Sequence, residues 1–460
     1  MSAPSHSLLV SMMGSILGLL ITVSGTVRAA TFIPMSTTPA DSPGDIEYVE
    51  HFGLFAGTTD KGFFAMPYQI FAPANPSEGN GVVVVEPPHF AYSSGLGRDV
   101  FLGRELLFSR GFSHASVGFS ELLFNILAPI PGLWIAGGPA VQCDPALDVC
   151  TAERDVEIIK QFSEALASDP WAVSALGPLT GRYAFGSSQT TVVLSEMIYD
   201  LGIEGLYDFI LMTLAVWRLD DEVPQTETPP GALPDDFVPV DDIGKVIIVN
   251  AEGDQLFSEA EKVRAAAGHP DYRLYEVAGT PHFASIYLPP SFPGYEYLNP
   301  LDSAPVARAA FIAGHHWVTE GAEPPANAVL AGAAPGEIDF VYGFETGIAR
   351  DADGNAAGGV QLPEIAVGQG HYVAWTDAPS LPLPGGIFAP LLGLYEDLTC
   401  EPPAGSGDER PRFRNHGSYV SAYAKQANLL VRQGYLLPDE AESMVDAAAE
   451  SEIGKPRSCD

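Results

Sequence analysis

Apolar residues gather along this chain in short unbroken runs, the pattern of strands buried on both faces rather than of one-sided sheets. Gly81 to Glu86 is one such run, and Ser113 to Phe119, Phe209 to Leu214 and Lys245 to Asn250 read as further strands. Asp45 to Phe71 alternates instead, interrupted by Gly and Pro, as antiparallel edge strands do. Arg273 to Val277 alternates as well. Between these runs Asp99 to Arg110, Asp155 to Leu166 and Thr191 to Gly202 read as helices. Later come an amphipathic helix over Ala304 to Thr319 and two more over Ser418 to Gln433 and Pro438 to Ala449. The reading is an α/β fold with a mostly parallel central sheet, helices on both faces, and a C-terminal helical extension packed on it. Two stretches do not fit the rhythm. Leu122 to Trp134 is apolar but broken by Pro129 and Pro131, which suits a lid in which Leu123, Phe124, Leu127 and Trp134 line a substrate pocket, or ordinary packing. Asp220 to Asp242 is rich in Pro and Asp and reads as a loop, at a place where caps are inserted.

The strand carrying Arg182 to Gly186 runs straight into Ser187-Ser188-Gln189-Thr190, a Gly-x-Ser-x-small turn ahead of a helix. A strand that reverses into a helix so abruptly crowds the residues two before and two after the turn, and Gly186 and Thr190 are both small. Ser188 is therefore the candidate nucleophile. The Lys245 to Asn250 strand empties into Ala251-Glu252-Gly253-Asp254, and the Arg273 to Val277 strand leads through Ala278-Gly279-Thr280-Pro281 to His282. Ser188, Asp254, His282 is the chain order of α/β-hydrolases and not that of the other two common serine-hydrolase folds. Glu252 competes with Asp254 for the acid. The backbone N–H of Gln189 is one expected oxyanion donor. The other comes from the loop after Glu86, around His89 and Phe90, since the neighbouring prolines have no N–H to give. His89 either faces the site or holds that loop.

With hydrophobic residues at 46% of 460, the chain can bury a large core. Residues 1–29 stand apart: Leu8 to Val23 is apolar and Val27-Arg28-Ala29 is a small-x-small cleavage site, so this leader predicts export to the periplasm or medium. It has no Lys or Arg ahead of its apolar run, which leaves a retained anchor as the alternative. No other segment is long and apolar enough to span a bilayer. Export would let Cys143 pair with Cys150 and Cys400 with Cys459, and their spacing fits no zinc pattern. The formal charge of −36 is spread along the chain and disfavours nucleic acid and anionic membranes as partners. Asp351-Ala352-Asp353-Gly354-Asn355 has Ala356 and Leu362 where a calcium loop needs Gly and Glu, so it reads as a turn.

The chain resembles a bacterial group described only as alpha/beta hydrolase domain proteins. The likeness rests on Ser188-Gln189-Thr190, on Glu252-Gly253-Asp254 and on Arg273 through His282. It extends to Trp317 through Pro325, Gly354-Asn355 with Gly358-Gly359-Val360, and Tyr419 through Leu437. The resemblance implies that residues 331–460 belong to the same hydrolase unit as the 30–330 core. Thr191 departs from it, because the group tends to place a glycine there. The expected activity is hydrolysis of a small-molecule carboxylic ester through an acyl-enzyme, with no metal or organic cofactor. An acyltransferase or amidase using the same triad, or a binding protein that has kept the scaffold, are the alternatives.

Overall fold

The computed structural model describes residues 30–59, 62–87, 97–118, 152–199, 205–215, 244–257, 265, 268–292, 294–332, 340–341, 344–345, 347–375, 391–405, 410–455 and 459. The leader, His89, Phe90, the lid residues Leu123, Phe124, Leu127 and Trp134, the Cys143–Cys150 pair and the Asp220 to Asp242 stretch lie outside the described residues. The chain divides into two compact units, residues 1–95 with 108–181 and residues 96–107 with 182–460.

In the first unit β1 (Thr31–Ala40), β2 (Tyr48–Thr59) and β3 (Gly62–Pro73) form an antiparallel meander, of which the alternation over Asp45 to Phe71 predicts β2 and β3. β4 (Val82–Glu86) and β5 (Ser113–Val117) pair in parallel, and β3 meets β5 antiparallel, giving the order β1-β2-β3-β5-β4. The helix expected over Asp99 to Arg110, most of which falls in the second unit, is in fact two pieces, a wide turn over Gly97–Phe101 and α1 (Arg104–Ser109). Gly103, at φ +77°, interrupts them, a conformation that a glycine adopts without the steric cost other residues bear. α2 (Ala152–Ser168) and α3 (Pro170–Leu176) follow. Asp169 caps α3 by accepting from Trp171 N at 2.8 Å, and also accepts from the Thr31 hydroxyl at 2.7 Å, which ties β1 to the helix start. Phe32 packs there against Phe55, Phe162 and Trp171, with ring centroids 5.0 to 5.3 Å apart.

The second unit is the parallel half. β6 (Gly181–Ser187), α4 (Gln189–Tyr199), β7 (Phe209–Thr213), β8 (Lys245–Ala251) and β9 (Tyr272–Val277) give parallel pairings in the order β6-β7-β8-β9. Every described side chain of β7 is buried, which explains its uninterrupted apolar run. α5 (Ala304–Glu320) lies on β7 and β8, and Gly314 lets it approach, since a Cβ there would sit 2.1 Å from the Phe209 ring. α6 (His416–Gln433) starts on a capping box made by Asn415 and Ser418 and ends at Gly434, at φ +83°. It packs on α7 (Pro438–Glu450) through Tyr419, Tyr423 and Ala448. Cys400 and Cys459 are joined by a disulfide. The Asp351 stretch is a turn in which Asp351 accepts from the amides of Asp353 and Asn355, both at 2.9 Å, while Asp353 takes both prongs of Arg412. Among the described residues no helix is long and apolar enough to cross a membrane.

Candidate active site

β6 ends on Ser187 and α4 begins on Gln189, so one residue makes the reversal. That residue is Ser188, whose φ of +51° places a non-glycine side chain in the left-handed region at a cost of about 1–3 kcal/mol. Its neighbours hold it there. The Thr190 hydroxyl accepts from Ser187 N at 2.6 Å and donates to Ser187 O at 2.9 Å. Thr191 donates its hydroxyl to the Ser188 carbonyl at 2.6 Å and its amide at 2.9 Å, the first a bond that a glycine at this position would have no hydroxyl to make. The Ser188 amide donates to Thr213 O, at the end of β7, at 3.0 Å. A Cβ on Gly186 would lie 3.2 Å from Thr190 O and 2.7 Å from Leu194 Cδ1, which is the crowding that the small residues relieve.

β8 delivers its last residue, Ala251, into a turn over Glu252–Phe257, and β9 leads through Gly279 to His282. The structure brings three of the expected side chains together. Ser188 Oγ lies 2.9 Å from His282 Nε2, and His282 Nδ1 lies 2.5 Å from Asp254 Oδ1. A carboxylate only accepts, so Nδ1 carries the proton and the lone pair of Nε2 faces the serine hydroxyl. The second Asp254 oxygen accepts from Ala251 N at 3.1 Å, which fixes the carboxylate plane, and the Asp254 side chain is 1% exposed against 12% for His282. The imidazole is thus reachable while its partner is sealed from water.

Glu252, the competing acid, is engaged elsewhere. One oxygen accepts from Gly279 N at 2.7 Å and the other pairs with Arg350 Nη1 at 2.5 Å. Gly253 allows the two turns to meet, because a Cβ there would fall 2.8 Å from His282 N and 3.0 Å from Ala374 O. The histidine loop has further supports: Asn299 Nδ2 donates to Gly279 O at 2.7 Å, Thr280 Oγ1 to Val277 O at 2.7 Å, and Phe283 N to Leu391 O at 2.9 Å. Arg350 and Asn299 were not among the residues expected from sequence. The one signal for Arg350 is its setting, a cation after Gly347-Ile348-Ala349 in a chain with only 22 Lys and Arg.

Gln189 opens α4, so its backbone N–H belongs to the first helical turn, where amides have no acceptor within the helix. The chain re-enters the described residues at Gly97, beside the elbow strand: a Cβ on Gly97 would meet Phe185 Cδ1 at 2.2 Å. Next to it, burial pushes the Asp99 carboxyl up, but hydrogen bonds from Arg98 and Arg104 outweigh that effect and hold it at about 2. Among the described residues no cluster of His, Cys, Asp and Glu has the arrangement of a metal site.

A family model described as "Alpha/beta hydrolase domain" matches residues 69–446. Among curated proteins no sequence match was found. Among solved structures the chain is similar to esterases from Rhizomucor miehei, with a TM-score of 0.32 and 15% identity over 49% of this chain and 73% of theirs. It is also similar to brefeldin A esterase, described as a bacterial homologue of human hormone sensitive lipase, with a TM-score of 0.31 and 13% identity over 60% of this chain and 77% of that one. At these values neither likeness bears on activity.

Proposed function

Since the chain belongs to the alpha/beta hydrolase domain family, we propose that it is a serine hydrolase cleaving a small-molecule carboxylic ester through Ser188, His282 and Asp254. The observation that carries this is the unbroken hydrogen-bonded line from the Ser188 hydroxyl to the Asp254 carboxylate. In the proposed reaction Ser188 Oγ attacks the acyl carbon as His282 Nε2 takes its proton, and the imidazolium then hands that proton to the leaving alkoxide. Asp254 keeps the imidazole in one tautomer and stabilises its cation. Water, activated by the same histidine, releases the acid. The oxyanion is held by Gln189 N–H and a donor from the loop containing His89 and Phe90, each worth about 3 kcal/mol by the cost of deleting such donors in other enzymes.

Export to the periplasm or medium is part of the proposal, and the Cys400–Cys459 bond supports it, because disulfides persist in oxidising surroundings. So is the assignment of residues 331–460 to the hydrolase unit, which the extent of the family match to residue 446 favours. A fluorophosphonate probe tests the core of the reading. The expected result is an adduct on Ser188 of the folded protein, lost in Ser188→Ala together with turnover of nitrophenyl esters; an adduct elsewhere or none at all would end it.

A further inference from the structure

Glu252 is a carboxylate with no exposure to solvent, and it spends one oxygen on the amide of Gly279. Gly279 is the pivot of the histidine loop. Its φ is +72°, and a Cβ there would strike Ile365 at 2.5 Å, Tyr372 at 3.1 Å and Leu301 at 3.2 Å, so the packed turn leaves no room for a side chain. The buried carboxylate is paired with a cation, Arg350, from the far C-terminal segment. Its guanidinium in turn lies 5.3 Å from the Trp375 ring centroid, which orients it. The same segment grips the base of the loop, since Val360 O accepts from Ala278 N at 3.0 Å and Val360 N donates to Glu276 O at 2.8 Å.

From this juxtaposition we infer that Arg350, acting through Glu252 and the Gly279 amide, is a positioning residue for His282, so that a residue beyond position 330 contributes to turnover. The inference rests on the catalytic reading above. Arg350 offsets the cost of burying the Glu252 charge, and a charged acceptor makes the bond to Gly279 N–H stronger and more directional than a neutral one. With Arg350 removed, the buried carboxylate loses that ion pair, its hold on the Gly279 amide loosens, and His282 loses its fixed distance to Ser188. The chemical step suffers and ground-state ester binding does not, because neither Arg350 nor Glu252 belongs to the triad or to either proposed oxyanion donor.

The test compares wild type, Arg350→Ala and Arg350→Lys at a temperature where circular dichroism shows all of them folded. Arg350→Ala is expected to lose up to about 100-fold in kcat, the scale set by small misplacements of a catalytic group, with KM nearly unchanged. Millimolar guanidinium is expected to restore part of the loss, because the Arg350 side chain is 24% exposed and its deletion opens the cavity to solvent. Arg350→Lys should fall between, and it carries the test if the alanine variant does not fold. A folded variant whose kcat stays within about two-fold of wild type would overturn the inference. So would a loss that appears only in KM, or one that guanidinium leaves untouched. Fluorophosphonate labelling of Ser188 separates the two levels of the argument. Wild type that is labelled, with a variant labelled equally fast, sinks the role of Arg350 alone; wild type that is never labelled sinks the catalytic reading beneath it.

Discussion

The elbow and the histidine loop are held in place by opposite means. Around Ser188 the restraints come mostly from within a few residues: Gly186 supplies space, and the hydroxyls of Thr190 and Thr191 close on Ser187 and Ser188. Around His282 they come from far along the chain, from Glu252, Asn299, Val360 and Leu391, and through Glu252 from Arg350. A strained φ can be trapped by local hydrogen bonds because the geometry repeats wherever the motif is written. A loop that must set a ring nitrogen 2.9 Å from a hydroxyl on another strand needs supports that reach across the fold. Ser188 is therefore expected to tolerate change in its surroundings, and His282 is not.

The sharpest contrast comes from the acids. Asp254→Asn is expected to lower kcat by about 10⁴-fold, because asparagine cannot hold the imidazole in the required tautomer. Glu252→Gln should cost far less, up to about 100-fold, since glutamine gives the Gly279 amide a neutral acceptor in place of a charged one; equal losses in ester turnover assays would abolish the distinction between the two carboxylates. Below that lies a pair of substitutions, one on each side. Asn299→Ala removes donations to Gly279 O and Val373 O and the acceptor for Leu301 N, and should cost about 3 kcal/mol of stability together with a drop in kcat. Thr191→Val removes one hydroxyl bond at the elbow and should cost about 1 kcal/mol with kcat nearly intact. Urea melts and steady-state kinetics on both variants decide it, and a larger kinetic effect at Thr191 than at Asn299 would reverse the comparison.

The smallest effect expected is one of pH. Burial pushes the Glu364 carboxyl above its ordinary 4.5, with the Tyr423 hydroxyl donating to it. A carboxyl whose folded value is raised favours folding fully below its unfolded value and loses that contribution as pH climbs through the folded one. Ile365, next to it, packs on Gly279, so the histidine loop shares the dependence. Melting temperatures should converge between wild type and Glu364→Gln at low pH and diverge above 4.5, with the wild type losing ground. Parallel curves would exclude the carboxyl as the cause.

What was legible in the sequence divides along the same line. In the second unit β7 and β8 could be read because each is a continuous apolar run, and the elbow because its determinants are adjacent. The break at Gly103 was missed, since one glycine inside a helical pattern does not announce whether its φ will be positive. Asp254 and Glu252 could not be separated with certainty, because the choice depends on Arg350, nearly a hundred positions away and without periodic context. Asn299 is likewise an ordinary polar residue until the chain folds around it.

The Cys400–Cys459 bond gives the tail a dependence on its chemical surroundings. It closes a loop of 59 positions that contains both C-terminal helices, a constraint worth about 4 kcal/mol to the folded chain on the loop-entropy account. A thiol buffer able to open it leaves α6 and α7 with only their packing and their hydrogen bonds to hold them. Tyr423 of α6 donates its hydroxyl to Glu364, whose neighbour Ile365 packs on Gly279, so a reductant added far from Ser188 and His282 is expected to be felt, by relay, at the pivot of the histidine loop.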